Sequence, residues 1–191
     1  MDARHKAGHD ELSFLMPHSD TSPSWPAEIF DTLKRFEAKL VAYVPDAGHT
    51  DLIKRVHADN DMRPVLLTTE EEGIALLAGA WLGNARGVLL MQSSGVGNCL
   101  NMLSLAKLTR FPLLTLVTMR GEWGEFNPWQ VPMGSATQSA FELMGVEVLR
   151  ANAPDEVRNV VEAGAKFAYE GGTPTAVLLS QRLLGTKSFV K

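Results

Sequence analysis

Short apolar runs that alternate with stretches of helical period limit this chain more than any other feature of its sequence. The runs at 41–44, 65–67, 87–91, 113–118, 146–149 and 175–179 are apolar at consecutive positions rather than at every second one. A strand with one wet face would alternate, so these six read as parallel strands buried on both faces. Residues 26–39 form one helix candidate, with Ser24 as its cap and Ile29, Leu33, Phe36 and Leu40 three or four residues apart. Residues 154–169 form another, with Pro154 in the first turn, Asp155 and Glu156 beside the positive helix end, and Gly171-Gly172 just past the last turn. Alternation of this kind predicts an α/β fold: an open six-stranded parallel sheet with helices on both faces, joined by right-handed crossovers.

Ligands of such sheets bind at the carboxyl ends of the strands. The turns that follow strands are 45–50, 68–71, 92–99 and 120–134, and the last is the only long one. It carries Trp123, Phe126 and Trp129, an unusual load for a merely solvated connection. Residues 25–191 read as a single domain, and 1–24, with three of the five histidines and no long apolar core, as a flexible tail without a signal peptide. A net charge of −4 and the lack of any block of Lys and Arg argue against nucleic acid as a partner. The longest apolar stretches, 88–91 and 111–117, fall short of the roughly 20 residues of a membrane span. One cysteine, Cys99, permits neither an internal disulfide nor a cysteine-rich metal site, and a cytoplasmic location is expected.

Three segments carry chemistry. The first, Thr69-Glu70-Glu71-Glu72-Gly73-Ile74-Ala75-Leu76-Leu77-Ala78-Gly79-Ala80, opens a helix over 69–83 that is rich in small residues. Acids favour the positive end of a helix, by about 0.3–1 kcal/mol each, so the triplet alone has an ordinary explanation. The second, Met91-Gln92-Ser93-Ser94-Gly95-Val96-Gly97-Asn98, reads as a glycine turn, yet it fits no dinucleotide fingerprint, because Leu100 stands where a third glycine belongs, and no P-loop. The third runs from Arg120-Gly121-Glu122 through Pro128-Trp129-Gln130 to Met133-Gly134.

Taken together, the three segments resemble the pyrimidine-binding half of thiamine diphosphate enzymes, within the sulfopyruvate and phosphonopyruvate decarboxylase group. In that family a glutamate opens a helix and a glycine follows nine positions later, as Glu70 and Gly79 do; one residue of slip leaves Glu71 as the alternative. The second segment is similar to Met-Gln-Asn-Ser-Gly-Leu-Gly-Asn of these decarboxylases, with Ser93 in place of the asparagine. In the third, Arg-Gly, Gly-Glu, a proline, a glutamine and Met-Gly recur in the same order.

The resemblance implies that Glu70 hydrogen-bonds N1′ of the cofactor's aminopyrimidine and activates thiamine diphosphate. It implies that Gly95, Val96, Gly97 and Asn98 line the cofactor, and that His49, Gln92, Arg120 and Gln130 shape the substrate pocket. The family's Gly-Asp-Gly and following Asn, which hold Mg2+ and the diphosphate, are not found here, so no metal ligand is expected in this chain and a diphosphate-binding beta subunit is. An α2β2 or larger assembly that decarboxylates a small 2-oxoacid, 3-sulfopyruvate first, is the implied enzyme. Phosphonopyruvate decarboxylation, carboligation on the same cofactor, and a non-catalytic module of the same fold are the alternatives. Arg120 has two roles open to it, facing the substrate's anionic group or bracing its own loop. His49, in Val44-Pro45-Asp46-Ala47-Gly48-His49, is either a surface or a pocket residue, and His57 is structural. Cys99 is either a thiolate at a helix start or a buried small residue.

Overall fold

In the structure, a computed structural model, residues 24–185 are described, so all of the 1–24 tail except Ser24 lies outside the described residues. The strands β1 (Ala38–Tyr43), β2 (Arg63–Leu66), β3 (Arg86–Gln92), β4 (Leu114–Thr118), β5 (Glu147–Ala151) and β6 (Thr175–Leu179) form one sheet in the order β2-β1-β3-β4-β6-β5. Every neighbouring pair is parallel. Around it lie α1 (Trp25–Arg35), α2 (Thr50–Ala58), α3 (Glu70–Leu82), α4 (Ser93–Thr109), α5 (Val131–Leu143), α6 (Pro154–Tyr169) and the short α7 (Gln181–Leu184).

The apolar runs bury both faces of the central strands. Val88, Leu90, Leu114, Leu116 and Val177 point to a cluster with Ile29, Leu33, Leu52, Val157 and Val161 of α1, α2 and α6. Their neighbours Leu89, Met91, Val117, Ala176 and Leu178 point the other way, to Ile74, Leu77, Val96, Leu103 and Phe141 of α3, α4 and α5. β4 and β6 are buried at every residue. The edge strands differ from the expectation of burial on both faces: β2 and β5 are largely half-buried or exposed, having one neighbour each. An edge position also explains how β2 tolerates Pro64, which cannot donate to a ladder.

Two expected boundaries move. The helix foreseen over 26–39 stops at Arg35, because Glu37 takes a left-handed backbone (φ 56) and residues 38–39 already belong to β1. The long loop foreseen over 120–134 is shorter, because a 3-10 turn at Pro128–Gln130 leads directly into α5. Proline is tolerated in a first helical turn, where its missing N–H has no partner anyway, so Pro132 starts α5 rather than preventing it.

From β1 the chain moves outward to β2 and then returns to the other side of β1 as β3. Connections therefore diverge at the carboxyl ends of β1 and β3, which opens a crevice there. Among the described residues no helix is long and apolar enough to cross a membrane.

Candidate functional site

Of the three acids that open α3, only Glu70 is buried, at 9% exposure. Glu72 serves the helix start, its carboxylate accepting from the Thr68 backbone N–H at 2.9 Å. Glu70 Oε2 accepts from Asn98 Nδ2 at 2.9 Å. The segment foreseen as a glycine turn is in fact the first turns of α4, and Gly95 there packs directly on Glu70. A Cβ on residue 95 would stand 2.3 Å from both Cδ and Oε1 of Glu70, so any larger residue at that position would push this carboxyl from its place.

The other members of this segment are placed differently. The Val96 side chain is fully buried in the core, so only its backbone is left to meet a ligand. Gly97 and Asn98 are exposed, with Met133 of α5 beside Gly97. Cys99 is buried, and that burial, with Glu70 and Glu71 nearby, pushes its thiol up to about 12. It is a packed small residue, not a thiolate nucleophile.

Asp46 joins three strand ends. Its carboxylate accepts from Gly48 N at 3.0 Å, Gln92 Nε2 at 2.7 Å and Thr118 Oγ1 at 2.6 Å. Ser94 Oγ donates to Gln92 Oε1 at 2.9 Å, which ties this set to the residue next to Gly95. His49 is only 1% exposed and is not a surface residue. Its Nε2 donates to the Leu116 carbonyl at 3.1 Å, while Nδ1 has no partner among the described residues. Burial pushes the imidazole below its ordinary value, against the opposing pull of Asp46. His57 bonds the Tyr43 hydroxyl at 2.8 Å, a structural contact.

Beside Asp46 lies a cleft of about 220 Å³ whose lining includes Trp25, Asp46, Thr118, Arg120, Gln181 and Leu184. Neither Glu70 nor the 95–98 segment lines it. Arg120 braces its own loop, its Nε and Nη2 donating to Glu125 at 2.7 and 2.6 Å as a bidentate pair, and its side chain at the same time forms part of the cleft wall. Glu125 also accepts from Gly121 N, Asn127 N and Gln181 Nε2, and the Arg120 guanidinium first of all holds its carboxyl at about 2. Gly121 has φ +78, and a Cβ there would stand 2.3 Å from the Gln130 carbonyl, so the loop closes on α5 only through glycine. Gln130 follows at the end of the 3-10 turn, its buried Oε1 unpartnered among the described residues.

None of the loop's rings enters the core: Trp123, Phe126 and Trp129 are 50%, 44% and 84% exposed. Helices α3 and α4 likewise leave Trp81, Leu82, Leu100 and Leu108 exposed. Sequence reasoning missed Asp46 and Gln181 as members of the site. Asp46 sat inside a noted motif, but its partners are 46 and 72 positions away, where no local spacing signals them.

Residues 27–139 match the family described as thiamine pyrophosphate enzyme, N-terminal TPP binding domain. Sulfopyruvate decarboxylase subunit alpha of Methanococcus maripaludis is 33% identical over 140 residues, covering 73% of this chain and 84% of that one. Phosphonopyruvate decarboxylase of Streptomyces hygroscopicus is 35% identical over 147 residues, which is 75% of this chain but 37% of that longer protein. Among solved structures, 2-oxoglutarate:ferredoxin oxidoreductase from Magnetococcus marinus, with 2-oxoglutarate, coenzyme A and succinyl-CoA bound, superposes with a TM-score of 0.65 at 14% identity. That likeness covers 85% of this chain and 29% of the other, and at such identity it speaks to the fold alone. A family match over more than half of the sequence, with a relative one-third identical along most of both chains, identifies this chain as a member of the thiamine pyrophosphate enzyme family, corresponding to its N-terminal, pyrimidine-binding domain.

Proposed function

We propose that the chain is the alpha-type subunit of a heteromeric thiamine diphosphate-dependent 2-oxoacid decarboxylase, with 3-sulfopyruvate as first substrate and sulfoacetaldehyde and carbon dioxide as products. The observation that carries this reading is the Glu70 carboxyl, buried, oriented by Asn98 and fitted against Gly95. The chemistry of these donors suits the cofactor's pyrimidine. Oε2 is committed to Asn98, and Oε1 is the oxygen left to hold a ring nitrogen. When bound, thiamine diphosphate supplies the electron sink for decarboxylation.

Glu70 holds and moves a proton at the pyrimidine nitrogen, and Asn98 fixes the plane in which it does so. Asp46, Gln92 and Thr118 hold the strand ends that wall the cleft. Relatives named as alpha subunits support a partner, which would bring the diphosphate and Mg2+ ligands. The exposed apolar residues of α3 and α4 and the rings of the 123–129 loop are the surfaces offered to it. An obligate interface of more than about 2,000 Å² suits such a surface.

The test is reconstitution with the partner subunit, Mg2+ and thiamine diphosphate, followed by carbon dioxide release from sulfopyruvate, phosphonopyruvate and pyruvate. Sulfopyruvate should give the highest kcat/KM and the chain alone should be inactive. Glu70→Gln should lower kcat at least about 10²-fold with assembly intact. Full turnover by the chain alone, or no 2-oxoacid consumed by the complex, would overturn the reading. A damaging Glu71→Gln beside a mild Glu70→Gln would move the cofactor contact to Glu71.

A further inference from the structure

We infer that Gln181 is the positioning residue that holds the 120–127 loop, and with it the Arg120 guanidinium, in the cleft that receives the anionic end of the substrate; this rests on the decarboxylase reading above. Gln181 opens α7 one residue past the end of β6 and is 3% exposed. Its amide is used at both ends. Oε1 accepts from the backbone N–H groups of Glu122 at 2.9 Å and Trp123 at 3.0 Å, and Nε2 donates to Glu125 Oε2 at 2.9 Å. Its own backbone N–H donates to Glu122 Oε2 at 3.3 Å, and Glu122 in turn pairs with Arg150 of β5.

Few side chains can do this. The position needs an acceptor for two N–H groups and, on the same planar end, a donor for a carboxylate. A neutral amide supplies both. Glu125 Oε2 is shared by Arg120 Nε, Gly121 N and Gln181 Nε2, so the bidentate grip on Arg120 and the grip of Gln181 meet at one atom. Losing Gln181 leaves two loop N–H groups and one lone pair of Glu125 to find other partners, and the loop shifts to find them.

The consequence reaches the substrate through charge. Among the described residues that line the cleft, Arg120 is the sole cation and Asp46 and Asp51 are the anions. A 2-oxoacid entering there is repelled by the two aspartates and drawn by Arg120, whose charge the paired Glu125 partly offsets, so the pull is sensitive to how that pair is held. Its binding therefore depends on where the loop holds Arg120, while proton handling at Glu70 uses none of these residues. Loosening the loop should raise KM and spare kcat.

The experiment uses the assembled enzyme and three variants, Gln181→Ala, Gln181→Met and Gln181→Glu. Both Gln181→Ala and Gln181→Met should raise KM for the 2-oxoacid about tenfold with kcat changed less than about threefold. In the full chain, amide hydrogen exchange of the 121–127 segment should quicken about tenfold in the same two variants. Gln181→Glu is the conservative rescue: its protonated carboxyl offers one acceptor and one donor, as the amide does, and its ionised form has no donor and faces Glu122 and Glu125. The other charged groups around it are Arg120, Arg150, Arg182, Asp46 and Asp51. Burial beside Glu122 and Glu125 raises this carboxyl above its ordinary ~4.3, so KM for this variant should fall toward normal as pH drops from about 8 to about 5, a profile the parent lacks, and a flat profile would overturn the paired use of the amide.

Unchanged exchange in Gln181→Ala would overturn the hold on the loop. Quickened exchange with unchanged KM in an active complex would overturn the link to substrate. A wild-type complex inactive on every 2-oxoacid would sink the proposed function and with it the substrate link, while the exchange measurement would still decide the hold on the loop.

Discussion

Gly95→Ala puts the contact between α4 and the Glu70 carboxyl to a direct test. The new Cβ would lie 2.3 Å from Glu70 Cδ and Oε1 and 2.6 Å from Cγ. Carbon atoms settle near ~3.5 Å, so the carboxyl must retreat by about 1 Å. A displacement of this size at a reacting group lowers rate by ~10²-fold. Stability should change much less. Alanine is favoured over glycine in a helix by up to ~1 kcal/mol, and the strained Asn98 to carboxylate bond is worth about 1.5–3 kcal/mol. The net loss of about 1–2 kcal/mol lowers Tm by roughly 2–8 °C. The assay is kcat of the reconstituted complex at saturating cofactor, beside calorimetry of the variant chain. Asn98→Ala is the comparison: it removes the same hydrogen bond without pushing Glu70, and should cost less rate. Gly95→Ala with kcat within about threefold of the parent would refute the argument that this glycine exists to seat the carboxyl.

Three further outcomes are expected. Gly79 of α3 has nothing within 4 Å of an added Cβ, so Gly79→Ala should stabilise the isolated chain by about 0.5–1 kcal/mol yet weaken assembly with the partner; unchanged assembly would remove this stretch of α3 from the interface. Trp129, at 84% exposure, should tolerate Trp129→Ala with no change in the Tm of the isolated chain while KM or assembly suffers, and a large loss of Tm would show a packing role instead. The Glu125 carboxyl is held at about 2 in the folded chain, below its ordinary 4.5, so its contribution is fully present above 4.5 and lost as pH falls toward about 2. Wild-type unfolding free energy should fall more steeply than that of Glu125→Gln across that window, and parallel curves would contradict the assignment.

The sheet was legible because its central strands are buried on both faces, and consecutive apolar residues such as 88–91 and 175–179 leave few other readings. Two strands blur this signal: Lys39 interrupts β1 near its start, and Pro64 disguises the edge strand β2. Helix α5 was hidden because Pro128, Pro132 and Gly134 suggest a loop when read one at a time, although proline suits a first turn. Of the residues that the family resemblance assigned to the cofactor, Glu70, Gly95 and Asn98 were legible as motifs, and the structure brings them into contact. The cleft side was not. Asp46 and Gln181 act through partners 46 to 72 and 56 to 59 positions away, and only the fold reveals such pairings. His49 was placed at the right turn with a surface and a pocket setting both open, because nothing local shows that its ring turns inward to the Leu116 carbonyl.

Asp46 ties the end of β1 to those of β3 and β4, while Glu70 is bonded to Asn98 of α4. The short path from Gln92 to Gly95 runs between the two groups. On the proposed function, such a division would let a lineage redraw the cleft wall without disturbing the Glu70 carboxyl. Substitutions that change which acid is accepted should therefore gather around Asp46, Thr118 and Arg120, and the stretch from Glu70 to Gly73 and from Gly95 to Asn98 should stay as it is while they accumulate.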